Sequence, residues 1–227
     1  MRCLALLALA CHPAMAQDIT AARLTLPTDR YDHAVLGDAL EWAGLEMTLS
    51  DGRRLRVSLP KDRVFEDITA RLADLDRDGR PEVIVVETSL TLGASLAVYD
   101  STGKRAATAY LGQPNRWLAP AGIADFDGDG QVEIAYVDRP HLARELVFVR
   151  LQGRALTEVA RTPGLTNHRI GDRHIAGGVK TCNGRASLLL ASADWSRLIQ
   201  VSLGPSGITT TDLGPWPKAG PDLASCP

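Results

Sequence analysis

The sequence predicts an all-β chain folded as a β-propeller of four blades, each of about 50 residues and four antiparallel strands. Three observations carry this. The loops Asp74-Leu75-Asp76-Arg77-Asp78-Gly79-Arg80-Pro81-Glu82 and Asp125-Phe126-Asp127-Gly128-Asp129-Gly130-Gln131-Val132-Glu133 repeat one acidic pattern, D-x-D-x-D-G-x-x-E, 51 residues apart. Each loop runs into a short apolar strand, Val83–Val86 or Ile134–Val137. Short runs rich in Val, Ile, Leu and Thr are broken by Gly, Pro and Asp roughly every 8–12 residues, a rhythm of strands and turns rather than of helices.

The 227 residues, 45% hydrophobic and 23% charged, suffice for a domain with a core. Residues 1–16 stand apart. Arg2 precedes the apolar run Leu4–Ala10, and Ala14-Met15-Ala16 fits the small-residue cleavage pattern of a secretory signal peptide, with cleavage near Ala16-Gln17. The expected location is periplasmic or secreted. Nowhere does an apolar stretch reach the ~20 residues a membrane helix requires. Removing Arg2 leaves 24 basic against 27 acidic residues, a net charge of −3. With no basic stripe, nucleic acid is not an expected partner. Cys182 and Cys226 remain after cleavage, and in an exported chain the even count reads as a disulfide.

The propeller is expected over 17–214, with repeats near 22–60, 67–112, 118–161 and 170–213, followed by a Pro-rich tail over 215–227. The second repeat reads as strands Ala70–Ala73, Val83–Val86, Ser95–Tyr99 and Arg105–Leu111, with Asp100-Ser101-Thr102-Gly103 as a turn. The third follows with Ala121–Ala124, Glu133–Val137, Leu146–Leu151 and Ala155–Ala160. In the first repeat, His33–Leu36 aligns with the strand after the acidic loop, and Leu45–Leu49 and Arg54–Leu59 follow. In the fourth, His174-Ile175-Ala176 aligns with Gly122-Ile123-Ala124, and Gly177–Gly184 stands as a decayed acidic loop. Ser187–Ala191, Leu198–Leu203 and Ile208–Leu213 complete that copy. Closure is expected where Arg23–Leu26 meets Ile208–Leu213, which would hide sheet edges.

Carboxylates at loop positions 1, 3 and 5 converge on one point, and the glycine at 6 permits a sharp turn. A carbonyl at 7 and a carboxylate at 9 complete an oxygen cage suited to a hard cation such as Ca²⁺. The EF-hand is excluded: position 12 is Val85 or Tyr136, and strands rather than helices flank the loops. The β-flanked pattern resembles the FG-GAP/VCBS repeats of integrin-α-like propellers. That resemblance implies two structural Ca²⁺ sites, one on Asp74, Asp76, Asp78 and Glu82 with the carbonyl of Arg80. The other comprises Asp125, Asp127, Asp129 and Glu133 with the carbonyl of Gln131. The family usually closes seven blades, and this chain has room for four.

In a blade the acidic loop lies on one face, and loops between strands two and three lie on the other. That sorting gathers Trp42, Trp117, Trp195, Arg116, His168 and Arg169 as a candidate surface for a protein or carbohydrate partner. The chain has neither G-x-S-x-G nor H-E-x-x-H. Asn167–His174 is the one run dense in His, Asp and Arg. The expected function is an exported, calcium-binding interaction module, with monomer as the expected state. The alternative is a secreted hydrolase or lyase on the same scaffold.

Overall fold

The computed structural model describes residues 17–37 and 40–226. The signal-peptide and cleavage readings, apart from Gln17, fall outside them. The described residues form strands and turns, with no helix among them long and apolar enough to cross a membrane.

Four sequential units build three antiparallel sheets. The first unit comprises β1 (Ile19–Thr28), β2 (Glu41–Leu49) and β3 (Arg54–Ser58). The second comprises β4 (Arg63–Phe65), β5 (Arg71–Ala73), β6 (Glu82–Ser89), β7 (Gly93–Asp100) and β8 (Gly103–Ala107). β4 and β5 lie along the same edge of β6, so they act as one interrupted strand. The Trp42–Phe65 bridge joins these two units into an eight-stranded sheet. The third unit is the regular meander β9 (Leu118–Ala124), β10 (Glu133–Asp138), β11 (Glu145–Gln152) and β12 (Ala155–Pro163). The fourth comprises β13 (Leu165–Thr166), β14 (Gly178–Cys182), β15 (Arg185–Ser192), β16 (Arg197–Gly204) and β17 (Gly207–Pro215). Its β13 and β14 again share one edge of β15.

Central strands buried on both faces, such as Val83–Val86 in β6 and Leu188–Ala191 in β15, read as continuous apolar runs. Outer strands alternate or face water, as in β3 and β17. Three hydrophobic clusters fill the gaps between consecutive units. Leu45, Met47, Phe65 and Tyr99 pack units one and two. Ile84, Leu96, Leu118 and Val149 pack units two and three. Phe126, Phe148, Leu188 and Val201 pack units three and four.

The first and fourth repeats depart from the sequence expectation. His33–Leu36 is not a strand: Val35 and Leu36 turn inward and join the apolar cluster between units two and three. The apolar pattern there reflects burial of a crossing segment rather than of a sheet. In the fourth repeat His174–Ala176 lies outside any strand, and β14 carries the first-strand register. The turn after β14 is not an eight-residue loop but the two-residue Asn183-Gly184, with φ of +52° and +73° at the two positions. Asn-Gly accepts that left-handed pair, which matches strand twist in a tight hairpin.

The expected meeting of Arg23–Leu26 with Ile208–Leu213 is not seen among the described residues. β1 pairs with β2, and β17 with β16. Units one and four instead meet through the crossing segment, where Gly171 N donates to Val35 O at 3.1 Å. The other seams carry similar ties. His33 Nδ1 lies 2.5 Å from Glu66 Oε1, Trp117 Nε1 donates to Glu66 O at 2.9 Å, and Asn167 Nδ2 donates to Ala119 O at 3.2 Å.

Candidate functional site

The two acidic loops join β5 to β6 and β9 to β10, and they share three backbone-to-carboxylate bonds at equivalent positions. At position 1, Asp74 and Asp125 each accept from the glycine amide at position 6, both at 3.0 Å. Asp78 and Asp129 at position 5 accept from the amides of Arg80 and Gln131, both at 2.8 Å. At position 9, Glu82 and Glu133 accept from the amides of Leu75 and Phe126, at 2.9 and 2.8 Å. Leu75 and Phe126 are themselves buried, so each loop is pinned at position 2 by an apolar anchor. Gly79 and Gly130 have φ of +85° and +91°, a conformation glycine adopts without steric cost. Burial pushes the Glu82 and Glu133 carboxyls up, against the pull of those backbone amides.

In the first loop, carboxylate oxygens of Asp74, Asp76 and Asp78 lie within 4.8 Å of one another; in the second, those of Asp125, Asp127 and Glu133 do. Asp74 Oδ1 is buried and has no hydrogen-bond partner, a defect that a cation would repair. The two loops differ in their counter-ions. Arg105, from β8, reaches Asp76 Oδ2 and Glu82 Oε1, each at 2.5 Å. Arg150, from β11, engages Asp127 Oδ2 at 2.7 Å, Asp129 Oδ2 at 3.0 Å, and Glu133 Oε1. Arg77 crosses from the first loop to Asp125 of the second at 3.1 Å. These three arginines carry no local signature, and strand register alone brings Arg105 and Arg150 to the carboxylates.

Aromatic residues divide sharply. Trp195 lies in the β15–β16 turn at φ +62°, where Asp194 Oδ1 accepts from Ser192 Oγ, Ser196 N and Ser196 Oγ. Trp216 follows β17 and meets Trp195 edge to face, with centroids 5.2 Å apart and planes at 87°. The exposed Arg169 places its guanidinium carbon 3.9 Å over the Trp195 ring. Asp172, His174, Lys218 and Leu223 continue the walls of a cleft of about 290 Å³. The Cys182–Cys226 disulfide ties the tail that forms one wall of this cleft to β14. Trp216 and Lys218 escape sequence reasoning because they sit in a Pro-rich tail. The disulfide expected from the cysteine count does bring that tail to the fourth unit, but it does not single out Trp216 or Lys218 within it.

The other candidate surface residues lie elsewhere. Trp42 is in β2, paired with Pro27 and Phe65, rather than in a loop. Trp117 and His168 are only 2% and 1% exposed and stack edge to face at 4.9 Å. They are interior groups, not surface ones. Arg116 lies near His33, Arg139 and His141 in a separate small recess. His168 Nε2 donates to Asp172 O at 2.9 Å, so its Nδ1 accepts from His141 Nε2 at 3.0 Å. Burial pushes His141 down to about 4, and His168 down as well, so both rings are neutral near pH 7.

Residues 74–136, spanning both acidic loops and the strands between them, match the family model described as FG-GAP-like repeat. Searches of curated proteins and of solved structures return no match.

Proposed function

We propose that this chain with an FG-GAP-like repeat is an exported four-bladed propeller that binds carbohydrate through the cleft between Trp195 and Trp216. The observation that carries the reading is the right-angled tryptophan pair with Arg169 stacked on it and Lys218 at the rim. The parts of the two partly buried indoles that Arg169 leaves open offer apolar surface to the C–H groups of a sugar ring. The guanidinium, ammonium and carboxylate beside them supply hydrogen bonds that fix its orientation. Three apolar seams between successive units and the Gly171–Val35 tie at the fourth support a ring of four units. The disulfide and the N-terminal pattern of residues 1–16 support export.

The acidic loops act as structural clamps in this reading. Asp74, Asp76 and Asp78 with the Arg80 carbonyl offer a hard-oxygen donor set, and Asp74 Oδ1 supplies an oxygen in want of a partner. A bound Ca²⁺ would neutralise carboxylates that otherwise repel one another. The hydrolase or lyase alternative loses its main support because Asn167 and His168 are engaged in interior hydrogen bonds.

A glycan array with the intact chain tests the reading. Bound glycans should lose at least tenfold in signal with Trp216→Ala and with Trp195→Ala, while Trp42→Phe leaves the profile unchanged. An array on which the intact chain binds no glycan, or a profile unaffected by either cleft variant, rules out carbohydrate binding at this cleft.

A further inference from the structure

We infer that Arg150 is a built-in counter-ion that takes the place of the cation in the second acidic loop, so that of the two loops only the first responds to calcium. The inference rests on the structural-clamp reading of the first loop and adds a division of labour between two loops with nearly the same sequence.

The second loop has no carboxylate left over. Arg150 spans Asp127, Asp129 and Glu133 with separate nitrogens, and Arg77 takes Asp125. A guanidinium presents five donors in a planar fork, and its charge is permanent, so it can satisfy several carboxylates at once where a lysine would serve as a point charge. The Arg150 side chain is 12% exposed, so its charge sits among the carboxylates with little solvent screening. It is also placed rigidly. Glu133 and Arg150 are direct cross-strand partners in the β10–β11 ladder, so sheet register delivers the guanidinium to the loop.

The first loop cannot use the same device. The β6–β7 register pairs Val83 with Tyr99, so the residue across from Glu82 is Asp100, an acid. Its arginine, Arg105, comes from the next strand outward and reaches only Asp76 and Glu82. Among the described residues no guanidinium contacts Asp74 or Asp78, and Asp74 Oδ1 has no partner at all. Arg77, the basic residue inside this loop, is spent on the other one. Four carboxylates against one guanidinium leave the first loop more negative than the second, which sets four against two. The attraction for a divalent ion therefore differs in the direction of the first loop.

Calcium titration of the full mature chain by calorimetry, checked with Tb³⁺ luminescence, decides the matter. One site is expected. Asp78→Asn should weaken it at least tenfold, and Asp129→Asn should leave it within about twofold. Arg150→Gln should add a second site, whereas Arg150→Lys, which keeps the charge, should add none. Two sites of similar affinity in the unmodified chain would overturn the inference while leaving the clamp reading intact. So would a single site abolished by Asp129→Asn and spared by Asp78→Asn. If the unmodified chain binds none and Arg150→Gln gains one, the counter-ion role stands and the clamp reading of the first loop falls. No site in either chain overturns both. Should Arg150→Gln fail to fold, the Asp78→Asn and Asp129→Asn pair alone decides.

Discussion

His168 illustrates how one side chain can carry a seam and a pH response together. It bonds His141 through Nδ1 and the Asp172 carbonyl through Nε2, and its ring packs on Trp117. Burial pushes both histidines below their ordinary range, His141 to about 4, where His168, His33 and Arg144 add repulsion. An unfolded histidine binds its proton near ~6.5. Between that value and about 4 the unfolded chain therefore holds more protons than the folded one, and stability falls as pH falls through the window. Buried Glu66, whose carboxyl burial pushes up, acts in the opposite sense, because a proton it retains stabilises the fold on the acid side. The histidine share is isolated by comparison. His141→Gln should lose less melting temperature than the unmodified chain between pH 7 and 5, and parallel curves would refute this. None of it is visible in the sequence. Residues 167–174 read as a polar run dense in ionisable groups, and the fact that decides their role, burial against a tryptophan some 50 residues earlier, is non-local.

At the scale of elements, legibility follows the range of the forces. The acidic loops are readable because their carboxylates bond amides within a few residues, and β6, β10 and β11 because each carries a buried apolar run, Val83–Val86, Ile134–Val137 and Leu146–Val149. β4 and β13, of three and two residues, are too short to carry a period. The segment between β13 and β14 shifted the fourth repeat out of its expected alignment. The tail shows the same limit. Only the disulfide reveals that residues 216–226 belong with the fourth unit, and that tie carries a prediction. Reducing Cys182–Cys226, which spans a separation of 44 residues, should cost about 3–4 kcal/mol of stability by loop entropy. It should also weaken glycan binding severalfold, because Lys218 and Leu223 lose their anchor while Trp216 stays bonded through its amide to Ser196 O at 3.0 Å. Thermal melts and binding with and without reductant check both effects. Undiminished affinity after reduction would mean that the tail is held by other contacts.

For the whole molecule, the four seams are unequal. Three are apolar and continuous, and the fourth rests on the crossing segment that precedes β2. Gly37 and Gly171 face each other there, and both have left-handed backbones, at φ +78° and +87°. A Cβ on Gly37 would meet Gly171 O at 2.3 Å, whereas a Cβ on Gly171 would meet nothing within 4 Å. Alanine at either position bears a similar conformational cost, roughly 1–2 kcal/mol. Gly37→Ala alone adds a backbone clash, and the crossing segment can relieve it only by withdrawing from the fourth unit. Val35 and Leu36 of that segment lie at the margin of the cluster between units two and three, whose strand residues pack on one another without them, so the expected outcome is local opening rather than global unfolding. Hydrogen exchange should speed up at Tyr31–Val35 and at the Gly171 amide in Gly37→Ala and stay near unmodified levels in Gly171→Ala. The core amides of β6, β10 and β15 should keep their protection in both. Equal exchange in the two variants would show that the Gly37–Gly171 approach does not hold units one and four together. Loss of protection throughout Gly37→Ala would show instead that the weakest seam and the apolar ones unfold as a single cooperative unit.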